Sequence, residues 1–84
     1  MNITVLYFAG LREALQCASE NLAVPAGVAT IGQLRAHLAA RGEGWGALAT
    51  ARNLRAARNQ TMATADTAIA DGDEIAFFPP VTGG

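Results

Sequence analysis

The sequence predicts an α+β roll: a mixed sheet of four to five strands with one main helix packed across one face. Three observations carry this. Residues 3–8, Ile-Thr-Val-Leu-Tyr-Phe, and residues 75–78, Ile-Ala-Phe-Phe, are β-branched, aromatic and apolar, so a strand stands near each end of the chain. A single well-marked helix lies between them. One helix cannot cover both faces of a four- or five-stranded sheet, so the architecture is a sheet with a helix on one side. With 84 residues, 51% of them apolar, the chain is one small domain with enough apolar surface for a core.

In the first strand, alternation sends Ile3, Val5 and Tyr7 to one face and Thr4, Leu6 and Phe8 to the other, and Gly10 is expected to end it. Leu11 to Gln16 suits a short helix. Asn21 to Val24 reads as a second strand, closed by Pro25 and Gly27. The main helix starts at Thr30, with Gln33 three residues on. The hydroxyl is expected to accept a first-turn N–H and the amide to reach back. Ile31, Leu34 and Leu38 recur on one face, Arg41 suits the C-terminal end of the dipole, and Gly42 suits a left-handed stop. A weak helical turn follows over Ala47 to Thr50. Leu54 to Arg58 is expected to be a strand, Asn59-Gln60 a turn, and Thr61 to Ala63 a short extended piece. Asp71-Gly72-Asp73 is a strong turn signal before the last strand, and Pro79, without an N–H, stops its ladder. The first and last strands are the most apolar and belong at the centre.

Composition removes several function classes. A net charge of −1 gives no broad basic footprint for nucleic acid. No stretch nears the roughly 20 apolar residues that span a bilayer. Met1-Asn2-Ile3-Thr4 carries no secretory signal, and one cysteine makes no disulfide framework, which fits a cytoplasmic protein. All six basic residues are arginines, so no lysine amine is present to attack an activated acyl group on the same chain.

The side chains offer no catalytic constellation. Cys17 has no nearby His or Lys to lower its pKa and reads as a small buried or half-buried side chain. His37 stands alone, a poor metal ligand, and reads as a solvent-facing helix residue. Asp71, Asp73 and Glu74 lack the spacing of a calcium loop and read as solvated acids of a tight turn. Gly42, Gly44 and Gly46 form no phosphate loop. No metal or bound cofactor is expected.

Attention therefore moves to "AFFPPVTGG" at residues 76–84. Pro79 and Pro80 stiffen the exit from the domain, and Val81 and Thr82 add reach. Gly83 and Gly84 have no Cβ, so the tip is thin enough for a narrow cleft. A main-chain carboxylate becomes an acyl donor only after activation, typically as an acyl adenylate. Alternation adds a second clue. If Ile75 and Phe77 point inward with Val5 and Tyr7, then Phe78 points outward with Leu6 and Phe8, and such an apolar group near the tail suits a partner.

"NQTMATADTAIADGDEIAFFPPVTGG" resembles the C-terminal third of the molybdopterin synthase small-subunit family, the sulfur carriers. "MNITVLYFAGLRE" and "TIGQLRAHLAA" are similar to that family's first strand and main helix. The resemblance spans essentially the whole chain, and "DGDEIAFFPPVTGG" is its specific part. It implies a ubiquitin-like β-grasp fold with the first and last strands paired in parallel, residues 1–78 as the domain and 79–84 as a projecting tail. It implies that an ATP-dependent activating enzyme adenylates Gly84, which then becomes a thiocarboxylate. The tail would enter the large synthase subunit, in a complex of two large and two small subunits. Its sulfur would pass there to a cyclic pyranopterin monophosphate, with catalytic side chains on the large subunit. The resemblance also implies that Phe8, Arg12, Met62 and Phe78 face the partner.

Arg55 and Arg58 depart from the family, which has aliphatic residues at those positions. A buried unpaired arginine is costly, so each must reach solvent or pair with an acid. Alternative readings are the sulfur carrier of thiamine thiazole synthesis, a ubiquitin-like protein modifier, and an interaction domain with an inert tail.

Overall fold

The computed structural model describes residues 1–42, 44–51 and 53–79. In chain order the elements are β1 (Asn2–Tyr7), α1 (Ala9–Leu15), β2 (Ser19–Ala23), α2 (Ile31–Ala39), α3 (Ala47–Thr50), β3 (Arg55–Arg58), β4 (Thr61–Ala63) and β5 (Glu74–Phe78). The five strands form one sheet in the order β2-β1-β5-β3-β4. β1 and β5 lie side by side in parallel, with Val5 opposite Ile75 and Tyr7 opposite Phe77. All other pairings are antiparallel. The expected roll, with the first and last strands inside the sheet, is the fold observed.

Period-two alternation sets the core. Ile3, Val5 and Tyr7 of β1, Ile75 and Phe77 of β5 and Ala56 of β3 are buried on one face. There they meet Ile31, Leu34 and Leu38 of α2 and Leu48 of α3. Thr30 caps α2, with its hydroxyl accepting from the Gln33 N–H at 3.2 Å. The Gln33 amide does reach back, but one residue further than a capping box requires: it accepts from the Ala29 N–H at 2.8 Å.

Several expectations need correction. Gly10 does not end the first strand. β1 stops at Tyr7, Phe8 stays extended as the N-cap residue, and α1 runs from Ala9, taking Gly10 into the helix. The second strand starts two residues earlier than expected, at Ser19, because it must pair with Leu6. His37 is half-buried, not turned out to solvent. Arg41 does more than complement the dipole of α2. It grips both carboxylate oxygens of Glu20 at 2.9 Å and lies 4.5 Å over the Trp45 ring. The Tyr7 hydroxyl donates to the same Glu20 at 2.9 Å, and its ring meets Trp45 edge-on. Burial first, and the Glu20 hydrogen bond second, push the Tyr7 phenol far above its ordinary pKa, so it remains a donor.

The largest correction concerns Asp73. It is not a solvated turn acid: it is 6% exposed and collects four hydrogen bonds. Arg58 Nε donates at 2.6 Å and its second nitrogen at 3.4 Å, Asn59 Nδ2 donates at 3.0 Å, and the Ala70 N–H at 2.7 Å. The Asn59 side-chain oxygen in turn accepts from the Glu74 N–H at 2.9 Å. Asn59 and Gln60 both adopt positive φ (50° and 68°), which gives the two-residue hairpin between β3 and β4 its primed twist. The clasp thus ties that hairpin to the start of β5.

Candidate functional site: the end of β5 and the open face of the sheet

The C-terminal end of β5 leaves the sheet at Phe78, and Pro79 follows half-buried. Pro80, Val81, Thr82, Gly83 and Gly84 lie outside the described residues. Two features surround this exit. On one side is a shallow apolar groove between α1 and α3, lined by Gly10, Leu11, Ala14, Ala47, Leu54 and Pro79. On the other is the face of the sheet that no described helix covers.

Register defines that open face. Leu6 of β1 lies beside Ala76 of β5, Ala76 opposite Ala57 of β3, and Ala57 opposite Met62 of β4. Two alanines between larger apolar residues make a shallow trough in this row of four strands. One row nearer the exit, Phe78 stands opposite Arg55. Phe8 adjoins this row through its N–H, which donates to the Phe77 carbonyl at 3.2 Å. Met62 is 62% exposed and Phe8 46%, whereas Leu6 and Phe78 are half-buried. Arg12 is exposed on α1, beside Leu11 of the groove.

The structure therefore brings Phe8 and Phe78 together at the exit and sets Met62 on the same face at the far side of the trough. Arg12 lies on the α1 side. The alternatives for the two departing arginines are both realised, one each. Arg58 pairs with Asp73, while Arg55 is exposed on the open face with Phe78. Sequence reasoning missed the alanine trough and the place of Arg55. Small residues carry no signal of their own, and the parity of β3 was legible only through Ala56, too small to mark a buried face.

Among the described residues no group of three or more His, Cys, Asp or Glu could hold a metal ion. No described helix is long and apolar enough to cross a membrane. Cys17 is half-buried, with its thiol 3.5 Å from the Ser19 carbonyl oxygen.

A family model described as the ThiS family matches residues 5–84. The molybdopterin synthase sulfur carrier subunit of Escherichia coli (strain K12) is 44% identical over 82 residues, covering 98% of this chain and 99% of that protein. The chain belongs to the ThiS family, among the molybdopterin synthase sulfur carrier subunits. Solved structures agree with this carrier fold. The crystal structure of SAMP1 from Haloferax volcanii superposes with a TM-score of 0.78 at 29% identity, covering 100% of both chains. A chain of the complex of subunits 1 and 2 of the molybdopterin-converting factor from Helicobacter pylori 26695 superposes with a TM-score of 0.66 at 25% identity, again over 100% of both.

Proposed function

We propose that this chain carries sulfur for molybdopterin synthesis on its own C-terminal carboxylate, at Gly84. Residues 1–78 are the folded domain and residues 79–84 the tail that projects from it. An ATP-dependent activating enzyme adenylates Gly84, and the acyl adenylate is converted to a thiocarboxylate. The tail then enters the large subunit of molybdopterin synthase, in an assembly of two large and two small subunits. The sulfur passes there to a cyclic pyranopterin monophosphate precursor. The carrier binds no cofactor. ATP belongs to the activating enzyme, and the sulfur is held covalently.

The chemistry suits a main-chain end. A free carboxylate resists nucleophiles because its charge is delocalised, and adenylation supplies a leaving group. Gly83 and Gly84 keep the tip thin enough for two different active sites, and Val81 and Thr82 give reach. Pro79 and Pro80 hold the exit stiff. Phe8, Arg12, Met62 and Phe78 face the partner. One observation carries this reading: the family match runs through residue 84, so the Gly83-Gly84 tip is part of what is matched.

Whole-protein mass spectrometry tests it. The chain is incubated with its activating enzyme, ATP and a sulfur source. A mass increase equal to one oxygen replaced by sulfur, confined to the C-terminal peptide, is expected. An unchanged mass with a competent activating enzyme and sulfur source contradicts the reading. The similarity to SAMP1, from a group titled small archaeal modifier proteins, favours a second reading as a protein modifier. Stable isopeptide adducts on lysines of other proteins are the outcome that reading requires.

A further inference from the structure

The six arginines do not share one fate. Arg41 is paired with Glu20 and Arg58 with Asp73. Arg35 donates to the Leu48 and Ala51 carbonyls at 2.6 and 2.7 Å. Arg52 lies outside the described residues. Arg12 and Arg55 make no hydrogen bond or ion pair with any described residue, and both are exposed at the end of the molecule where the tail leaves.

Arg55 is the more informative. It stands directly opposite Phe78, where side chains on one face lie about 5 Å apart at Cβ. Any partner that covers both Phe78 and Met62 must pass over β3, whose residues on that face are Arg55 and Ala57. Two strand spacings separate β5 from β4, roughly 10 Å, far less than the width of a stable interface. Among the strand residues of this face the one carboxylate is Glu74, four residues from Phe78 along β5, or roughly 13 Å away. It is too distant to pair with Arg55. A guanidinium covered by an apolar partner without an acceptor is strongly penalised, whereas a bidentate carboxylate restores what water supplied.

We infer that Arg55 is a charged anchor on the open sheet face, and that the large synthase subunit meets it with a carboxylate set beside the apolar surface that covers Phe78 and Met62. This rests on the carrier reading above. The specificity it confers is to a partner with an acidic group at that position, since an aliphatic counterpart would leave the guanidinium desolvated and unpaired.

The test is the affinity of the full chain for the large subunit of the same organism, at about 0.05 M and about 0.5 M NaCl, where screening differs severalfold in range. Arg55→Glu is expected to weaken binding about tenfold or more at low salt and to keep most of that deficit at high salt, because a covered ion pair is screened little. Arg55→Leu is expected to weaken binding at both salts, by leaving the partner's carboxylate unpaired, while leaving the thermal melt unchanged, which shows that folding is not the cause. Binding by Arg55→Glu within about twofold of the unaltered chain at low salt, or a deficit that vanishes at high salt, overturns the inference alone. If the unaltered chain does not bind the large subunit, the carrier reading falls, and this inference with it.

Discussion

At its start, β5 is clamped. Asp73 is buried under Arg58, Asn59 and the Ala70 N–H, and the Glu74 N–H is held by Asn59. Five residues later the same strand ends with the half-buried Phe78 on the face that no described helix covers, beside the exposed Phe8 and Arg55. The polar groups at the first end are satisfied within the chain, whereas Arg55 at the second end has no hydrogen-bond or ion-pair partner among the described residues. The difference separates two tasks. The clasp fixes the register of the strand, so that the exit has one position. On the reading proposed above, the exit keeps apolar and charged surface available for a partner.

Substitutions can sharpen or break that contrast. The largest stability effect is expected between the two ends, at Phe77, which is 1% exposed and stacked with Tyr7 at a centroid distance of 6.4 Å. Phe77→Ala should lose about 3–5 kcal/mol in denaturant unfolding. Asp73→Asn comes next, at about 2 kcal/mol at neutral pH, since Arg58 loses its charged partner but remains partly solvated. Arg58 first, with help from Asn59 and the Ala70 N–H, holds the Asp73 carboxyl below its ordinary pKa. Its contribution is therefore complete above about pH 4, the unfolded value, and is lost as pH falls through the folded value. The gap between the parent chain and Asp73→Asn should close in acid, and a gap unchanged at low pH would refute the clasp. Thr30→Ala, remote from both ends, should lose about 1 kcal/mol through the helix cap. Met62→Ser on the open face should change stability by no more than about 0.5 kcal/mol. It should nevertheless weaken binding to the large subunit severalfold, as loss of an apolar contact covered by a partner does. A large stability loss at Met62 would mean that the open face serves the fold.

Much of the fold was legible because it is periodic or local. Ile3, Val5 and Tyr7 mark a buried face by alternation, Thr30 and Gln33 mark a helix start by spacing, and Asn59-Gln60 marks a hairpin by conformational tolerance. The misread features depend on residues far apart in sequence. Asp73 sits among acids that look solvated, and only the partner 15 positions earlier, Arg58, makes its burial affordable. Arg41 reads as a helix-end charge until β2 brings Glu20 to it. Arg55 and Arg58 have the same side chain, and their opposite fates follow from strand parity, which Ala56 and Ala57 are too small to announce. The aromatic part of the exit was legible from the parity of Phe77 and Phe78. The alanine trough was not.

The central claim is that the reactive group is the end of the chain, separable from the domain that presents it. Removing Gly84 and measuring two quantities on the same sample tests this most directly. Unfolding free energy should match that of the full chain, because no core residue is touched, while molybdopterin formation with the large subunit and the activating system should vanish. A shortened chain that still supports molybdopterin formation would contradict the account.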